Sequence, residues 1–342
     1  MIEGILGIQD WLPAFQQLAW ELPEATAVLL IPTALLYLSI LAHLKNRFKT
    51  YLLLTASSIA TFLACPWLAP VHCGPFRCLQ NFAIAIGTMK LLDILTRCKE
   101  LPTYTASETR PPDWLLAFIM LTELRYESFA PNYIRVPKAA ENFSEPTQLA
   151  LHIGAFAILQ AMPQDYLIIL AYEVLLAIYI IWTVMQLTVR YKGSPSLFGP
   201  LYLADSLTGF WSETWHNVFA SPCQSLAYRP ARNLSRYGVP AVIARSLGVM
   251  GAFGLMAIFH IYALQPILPR SSLRRIGLFF LYNGIATVGE AAVWGRKKHW
   301  TKTLIAWTFE TCLAAWTVQA AYIPRGLDNV PWKDFCGRVE EF

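Results

Sequence analysis

The sequence predicts an all-α polytopic membrane protein, and three observations lead to this prediction. Apolar runs of about twenty residues recur from one end of the 342-residue chain to the other. These runs are continuous rather than alternating, which is typical of spanning helices and not of barrel strands. Hydrophobic residues make up 56% of the chain and charged residues 14%, with a mean hydropathy of +0.42. Since soluble globular proteins carry about a quarter charged residues, the composition argues against a soluble enzyme.

The N-terminal region predicts a helical hairpin. Residues 1–25 hold four acidic residues and no Lys or Arg, which is the wrong charge for a secretory leader, so we expect the first apolar run to remain as a spanning helix. The segment 1–25 before it is expected to be non-cytosolic. The runs 26–44 and 51–71 contain no Asp, Glu, Lys or Arg and flank the basic sequence KNRFKT. Basic loops favour the cytosol, so this turn is predicted to be cytosolic.

The third run, 79–96, is predicted to span although it contains Lys90 and Asp93. These residues are three positions apart, on one helical face where they are able to pair. Two further runs, 148–162 and 166–188, are separated by Pro163 and predict antiparallel helices.

About eight spans are predicted in a single membrane-embedded domain covering residues 1–342, because no soluble block of domain size remains. They are 26–44, 51–71, 79–96, 148–162, 166–188, 240–264, 276–294 and 303–323. A re-entrant or interfacial helix is predicted near 201–219, where the sequence is aromatic and only partly polar. The Pro-rich segments 97–147 and 190–239 are predicted to be cytosolic loops.

The basic residues support this topology. The net charge is +5, and the positive charges form short clusters between apolar runs, which is typical of helix orientation and lipid contact rather than of nucleic-acid binding. The predicted cytosolic segments hold 18 Lys and Arg and the opposite side holds 7. Arg270, Arg274 and Arg275 are exceptions on the non-cytosolic side.

No metal site is predicted, because the seven cysteines lack a repeated CxxC pair and no HExxH motif or carboxylate cluster is present. The same cysteine spacing gives no support for a disulfide framework.

His260 is the first candidate for chemistry. It lies near the end of the span 240–264, where an ionisable ring is costly unless it faces protein or a wet cavity. Gly248, Gly251 and Gly254 precede it at a spacing of three and allow close approach of a helix or an elongated substrate. Met256 shares the face of His260. A desolvated, neutral imidazole is suited to act as a general base, although an interhelical hydrogen bond without chemistry is the alternative.

His216 is the second candidate. Trp211, Trp215 and Phe219 recur at a spacing of four, so on a continuous helix they form one aromatic stripe, with His216 turned about 100° from Trp215. An aromatic belt at the membrane interface with an incidental histidine is the alternative interpretation.

The other ionisable residues are secondary candidates. Glu173, Glu290 and Glu310 lie in predicted spans and are able to line a polar cavity or to pair with Arg245 and Lys90. The remaining histidines favour interface or surface roles; they are His43, His72, His152 and His299.

The pattern SLxxFWxxxWHxxF, followed about forty residues later by a membrane-embedded histidine, resembles the wax synthase-like branch of the membrane-bound O-acyltransferases, and especially its fungal terpenoid acetyltransferases. The residues of the motif are Ser206, Leu207, Phe210, Trp211, Trp215, His216 and Phe219, with His260 as the buried histidine. Relatives carry basic residues just before Trp-His, whereas this chain has Glu213 and Thr214.

The resemblance implies transfer of an acetyl group from acetyl-CoA, a co-substrate, to a hydroxyl of a lipophilic terpenoid-type alcohol, without a metal. His260 is then the general base and His216 a catalytic partner, in a multi-pass protein of the endoplasmic reticulum. Expected contacts with the substrate are Phe210, Trp211, Trp215, Asn217 and Met256. Arg229, Arg232 and Arg236 are expected to meet the coenzyme A phosphates, although setting the topology is the alternative role for these arginines.

Three other functions remain open at this stage. A long-chain acyl-CoA wax alcohol acyltransferase differs only in the length of its tunnel and the shape of its acceptor. A membrane terpene cyclase would use an intramembrane carboxylic acid such as Glu173, with aromatic residues to stabilise the cation. A transporter or structural membrane protein is the third, although the inverted repeats or paired broken helices expected of it are not found, since the sequence shows no internal repeat. The sequence gives no oligomeric state.

Overall fold

The computed structural model describes residues 8–98, 101–135, 144–189, 195–295 and 297–321, together with positions 323, 324, 326 and 336. The long helices are α1 (Ile8–Leu44), α2 (Phe48–Leu68), α3 (Gly74–Thr96), α5 (Glu145–Gln160), α6 (Leu167–Val189), α10 (Ala241–Leu264), α11 (Arg270–Trp294) and α12 (Trp300–Val318). The shorter helices are α4 (Asp113–Thr122), α7 (Leu207–Gly209), α8 (Ala220–Pro222) and α9 (Arg229–Asn233). The predicted all-α membrane fold is confirmed.

Six of the described helices are long and apolar enough to cross a membrane: α1 from Gln16 onward, α2, α3, α6, α10 and α11. The other two predicted spans are helical but do not meet both criteria. The first, α5, has 16 residues and a length of about 24 Å at 1.5 Å per residue, short of a hydrocarbon core of about 30 Å. The second, α12, has 19 residues but contains Lys302 and Glu310.

The predicted loop 97–147 contains more structure than expected. A two-stranded antiparallel sheet forms from β1 (Thr103–Tyr104) and β2 (Phe129–Ala130), with α4 between the strands. The apolar stretch predicted to lie at the interface forms α4, which packs against α1 through Leu116, Ala117 and Met120. Tertiary packing therefore converts a Pro-rich segment into a folded part of the protein.

The two charged residues of α3 that the sequence suggested as a pair, Lys90 and Asp93, also have partners outside that pair. Asp93 accepts a hydrogen bond of 2.7 Å from Arg97 Nε, and both side chains are buried. Lys90 Nζ donates to the Glu123 carbonyl at 2.6 Å and lies 3.4 Å from the centre of the Tyr126 ring. The segment after α3 therefore supplies partners for Lys90 that the local spacing did not indicate.

The chain divides into two compact units. Unit 1 comprises residues 1–131, 258–274 and 331–342, and its core contains the fully buried side chains of Tyr51, Tyr126 and Phe129. Unit 2 comprises residues 132–257 and 275–330. In it α6 packs against both α5 and α12.

A disulfide joins Cys73 to Cys336 within unit 1. The cysteine spacing gave no sign of it, because the two residues are 263 positions apart. The bond lies in a small apolar cluster that includes Ala69, Val71 and Phe76. The expectation that the cysteines form no disulfide framework is therefore corrected to a single bridge among the described residues.

Candidate active site

The segment that carries the tryptophan-histidine motif is a broken helix in unit 2. After the short helix α7, the chain continues as a π-helical turn over Phe210–Thr214. The helix stops at Trp215, whose backbone is extended at φ −74° and ψ 158°. The predicted aromatic stripe along one continuous helix is therefore wrong, because His216 and Phe219 follow the break.

Specific hydrogen bonds hold the break in place. The Trp215 amide donates to the Phe210 carbonyl at 2.7 Å, and the Gly199 amide donates to the Thr214 carbonyl at 2.9 Å. A second π-helical turn, Cys223–Tyr228, follows soon afterwards. Such turns are rare and concentrate at functional sites, and irregular backbone at membrane depth is tolerated only where protein or a polar cavity surrounds it.

Glu290 of α11 anchors the start of the motif. Its carboxylate accepts hydrogen bonds from the Leu207 amide at 2.6 Å, the Thr208 amide at 3.2 Å and the Thr208 hydroxyl at 2.9 Å. Lys302 Nζ lies 3.6 Å from the same carboxylate, and both side chains are buried. An acidic group satisfies the free amides at a helix N-terminus, so Glu290 holds α7 to α11.

Glu310 holds Trp211. The indole Nε1 of Trp211 donates to Glu310 Oε1 at 2.8 Å and to Asn283 Oδ1 at 3.1 Å. Asn283 is fully buried and Glu310 is nearly so. Among the described residues, Glu290 and Glu310 thus bond to Lys302, the motif backbone and Trp211, rather than to Arg245 or Lys90.

His216 lies among aromatic rings. Its ring centre is 5.2 Å from that of Trp215, 5.6 Å from that of Phe198 and 6.1 Å from that of Phe219. The imidazole is half-buried. The neighbouring Asn217 is buried and its amide nitrogen is 3.4 Å from the Arg135 carbonyl.

His152 is buried as well, which corrects the expected interface or surface role. It is 7% exposed on α5, and its ring stacks on Tyr179 with centres 3.8 Å apart. The sequence did not indicate that His152 is buried, because the apolar residues around it in α5 are typical of any membrane-spanning helix.

His260 lies in unit 1, near the end of α10. It is half-buried beside the buried Phe259, whose ring is 5.4 Å from that of Phe82 on α3. The Asn81 side chain donates to the Tyr262 carbonyl at 3.1 Å. The C-terminal turns of α10 are therefore fixed to α3 on either side of His260.

The three glycines before His260 differ in how closely other residues approach them. A Cβ added at Gly248 would lie 2.7 Å from the Tyr228 ring, and one added at Gly251 would lie 3.3 Å from Ala227. No atom would lie within 4 Å of a Cβ at Gly254. The predicted close approach of another segment occurs at Gly248 and Gly251, where the second π-helical turn packs on α10.

The three candidate arginines for coenzyme A are exposed on the segment that follows this turn. Arg229 and Arg232 belong to α9, and Arg236 lies in the 3₁₀ turn Leu234–Tyr237. Arg229 Nη2 donates to the Tyr133 hydroxyl. Within the described parts of the chain, no cluster of His, Cys, Asp or Glu is arranged to hold a metal.

Comparison with known proteins finds a similarity in this part of the chain. Residues 194–282 match the model of the membrane bound O-acyl transferase family. This region is therefore similar to that family. It contains the broken helix, Trp211, His216, the three arginines, all of α10 and the first half of α11.

Several plant proteins are also similar to parts of this chain. Probable long-chain-alcohol O-fatty-acyltransferase 7 of Arabidopsis thaliana is 23% identical over 206 residues, covering 56% of this chain and 61% of that protein. Probable long-chain-alcohol O-fatty-acyltransferases 9 and 3 of Arabidopsis thaliana are 31% and 32% identical to this chain over 96 and 92 residues. Each alignment covers about a quarter of this chain and of the relative. The chain thus aligns with less than two thirds of these relatives, and it matches no solved structure.

Proposed function

We propose that this protein is a membrane O-acyltransferase that moves an acyl group from acyl-CoA to a hydroxyl of a lipophilic alcohol. The observation that carries the proposal is the coincidence of two features. The region that matches the O-acyl transferase family is the region in which a broken, aromatic helix encloses His216. The plant relatives, whose names denote alcohol O-acyltransferases, support the same reaction.

In the proposed reaction His260 is the general base. Its neutral imidazole takes the hydroxyl proton while the alcohol oxygen bonds to the thioester carbonyl carbon. The carbon–sulfur bond then breaks, and the proton passes from His260 to the departing coenzyme A thiolate. A thioester is sufficiently activated for direct transfer, so orientation of the two substrates supplies much of the rate.

His216 is proposed to polarise or position the reacting groups. Phe210, Trp211, Trp215, Asn217 and Met256 are the proposed contacts with the apolar substrate. The bonds from Glu310 and Asn283 to the Trp211 indole support a rigid aromatic wall, because a site needs supporting groups that lock its side chains.

Arg229, Arg232 and Arg236 are proposed to bind the coenzyme A phosphates. Their exposure supports this role, since a polyanionic donor arriving from water needs accessible cations. Arg296, the first residue of a second basic group, lies outside the described residues.

The acyl chain defines two candidate substrate pairs. The first is acetyl-CoA with a terpenoid-type alcohol, as the sequence resemblance implies. The second is a long-chain acyl-CoA with a fatty alcohol, which the names of the plant relatives favour. The two pairs differ in the length of the acyl passage.

An assay of the purified protein in detergent tests the proposal. Acetyl-CoA and palmitoyl-CoA, each radiolabelled in the acyl group, are offered with a panel of terpenoid and long-chain alcohols. We expect labelled ester from one donor, and a loss of 10²-fold or more in kcat for His260→Ala, the scale of general-base catalysis. His72→Ala, at an exposed position between α2 and α3 where it forms an exposed pair with Glu21, is the matched control.

Two results contradict the proposal. Undiminished turnover by folded His260→Ala removes its role as base. Absence of any labelled ester, combined with consumption of a polyprenyl epoxide without coenzyme A, indicates a cyclase instead.

A further inference from the structure

His152 has a defined tautomer and a fixed ring plane. Its Nδ1 lies 2.7 Å from the carbonyl oxygen of Gln148, one turn earlier on α5. A carbonyl only accepts hydrogen bonds, so Nδ1 must carry the proton and donate it. This bond fixes the rotation of a side chain that is 7% exposed.

A continuous series of rings connects His152 to His216 inside unit 2. His152 stacks on Tyr179 of α6 at 3.8 Å with the ring planes 10° apart. The Tyr179 ring is 4.7 Å from the ring of Phe198. Phe198 in turn meets both Trp215 at 5.3 Å and His216 at 5.6 Å, with its ring edge-on to each.

The middle rings of this series have little room to move. Tyr179 is 2% exposed and Phe198 is 5% exposed. Gly199, the residue after Phe198, donates its amide to the Thr214 carbonyl, so the Phe198 backbone is also attached to the edge of the helix break. In an interior packed at crystal density, a ring of this kind shifts only if its neighbours shift.

We propose that His152 is a positioning residue for His216, acting through the ring stack of Tyr179 and Phe198. The imidazole of His152 holds Tyr179 in place, Tyr179 holds Phe198, and Phe198 sets the edge-on orientation of His216 after the helix break. The proposal rests on the proposed role of His216 in acyl transfer. It assigns a part in the reaction to α5, which lies outside the region that matches the family.

Two substitutions separate this role from its competitors. His152→Phe keeps a flat ring against Tyr179 but removes both nitrogens, whereas His152→Ala removes the ring. We expect His152→Phe to keep kcat within about threefold of the wild-type value. We expect His152→Ala to lower kcat about tenfold or more, with KM for acyl-CoA unchanged.

A double-mutant cycle tests whether the effect passes through His216. If His152 acts by orienting that ring, the pair His152→Ala with His216→Ala is no slower than His216→Ala alone, because coupled residues are not additive. Independent, multiplying effects in the cycle would overturn the proposal. Equal losses of activity in folded His152→Phe and His152→Ala would also overturn it, because a flat ring against Tyr179 would then make no difference.

A chemical readout keeps this test separate from the acyl-transfer assay. Diethyl pyrocarbonate modifies accessible neutral histidines, and mass spectrometry reports the extent at each site. We expect His216 to react several-fold faster in His152→Ala than in wild-type protein or His152→Phe, with the exposed His299 unchanged as internal reference. Equal reactivity of His216 in all three proteins would overturn the proposal, whether or not ester is formed.

Discussion

At the scale of single residues, side chains distant in sequence meet around the motif. Trp211 donates its indole proton to Glu310 and Asn283, which are 99 and 72 positions away. His152 reaches His216 only through two intervening rings. The chemistry proposed for one histidine therefore depends on residues that carry no motif of their own.

Two glycines of α10 give opposite stability predictions. Gly248→Ala places a methyl group 2.7 Å from the Tyr228 ring, and overpacking of this kind costs about 1–3 kcal/mol. We expect a lower free energy of unfolding, although the better helix propensity of alanine offsets part of the loss.

Gly254→Ala is the matched control, because no atom beyond its chain neighbours and the local backbone of α10 lies within 4 Å of the added methyl group. Here alanine is expected to raise the free energy of unfolding by up to about 1 kcal/mol. Thermal unfolding of both variants in one detergent measures the difference. Equal melting temperatures would contradict the described packing of the second π-helical turn on α10.

At the scale of elements, the motif is a short helical segment that depends on its neighbours. A three-residue helix is not stable alone, since helix nucleation is unfavourable. Glu290 of α11 satisfies the first amides of α7, and Ser206 accepts from the Gly209 amide at 2.9 Å. From α12, the Trp307 indole donates to the Ala204 carbonyl at 3.0 Å. Hydrogen bonds from α11 and α12 therefore hold the chain where it enters α7, and the helix break depends on them.

Removal of the Glu290 carboxylate is expected to release this anchor. Glu290→Ala leaves two backbone amides without their acceptor, at about 1–3 kcal/mol for each unsatisfied group, and removes the ion-pair partner of the buried Lys302. We expect both a lower melting temperature and a loss of acyl transfer. The carboxamide of Glu290→Gln keeps one acceptor oxygen, so this variant should lose less stability and less acyl transfer than Glu290→Ala.

Lys298→Ala serves as the control for this prediction. It removes the ion pair with Asp205 at the same end of the motif, but the Lys298 side chain is 90% exposed. Exposed pairs contribute about 0–1 kcal/mol, so we expect little change in the melting temperature or in acyl transfer. Equal losses in Glu290→Ala and Lys298→Ala would contradict the anchoring role of Glu290.

At the scale of the whole molecule, the disulfide constrains the membrane topology. Cys73 and Cys336 must lie on one side of the membrane to be bonded, so an even number of crossings separates them. Either both α5 and α12 cross, or neither does. If both cross, 18 Lys and Arg are cytosolic and 7 are not; if neither crosses, the numbers are 12 and 13. The positive-inside rule favours crossing by both helices.

A count of reactive thiols tests the bridge. The five remaining cysteines are Cys65, Cys78, Cys98, Cys223 and Cys312. A polyethylene glycol maleimide should add five labels to the unreduced, denatured protein and seven after reduction. Cys73→Ser should take six labels under both conditions. Seven labels without reduction would contradict the bridge.

The sidedness follows from the same argument. Disulfides persist in oxidising compartments, so the exposed arginines at 229–236 are expected on the cytosolic face. Trypsin added outside sealed microsomes should cut there while leaving the bridged segments intact. Protection of this region would contradict the topology.

The sequence by itself determined the membrane class and the approximate positions of the six helices long and apolar enough to span, and it singled out His216 as a candidate residue. Each of these depends on local hydropathy or on a contiguous motif, which lie within one segment of chain. Only the tertiary structure decided the helix break at Trp215, the anchoring by Glu290, the burial of His152 and the Cys73–Cys336 bridge. These features arise where residues far apart in the chain satisfy each other's hydrogen bonds or pack together, and no local periodicity encodes such pairings.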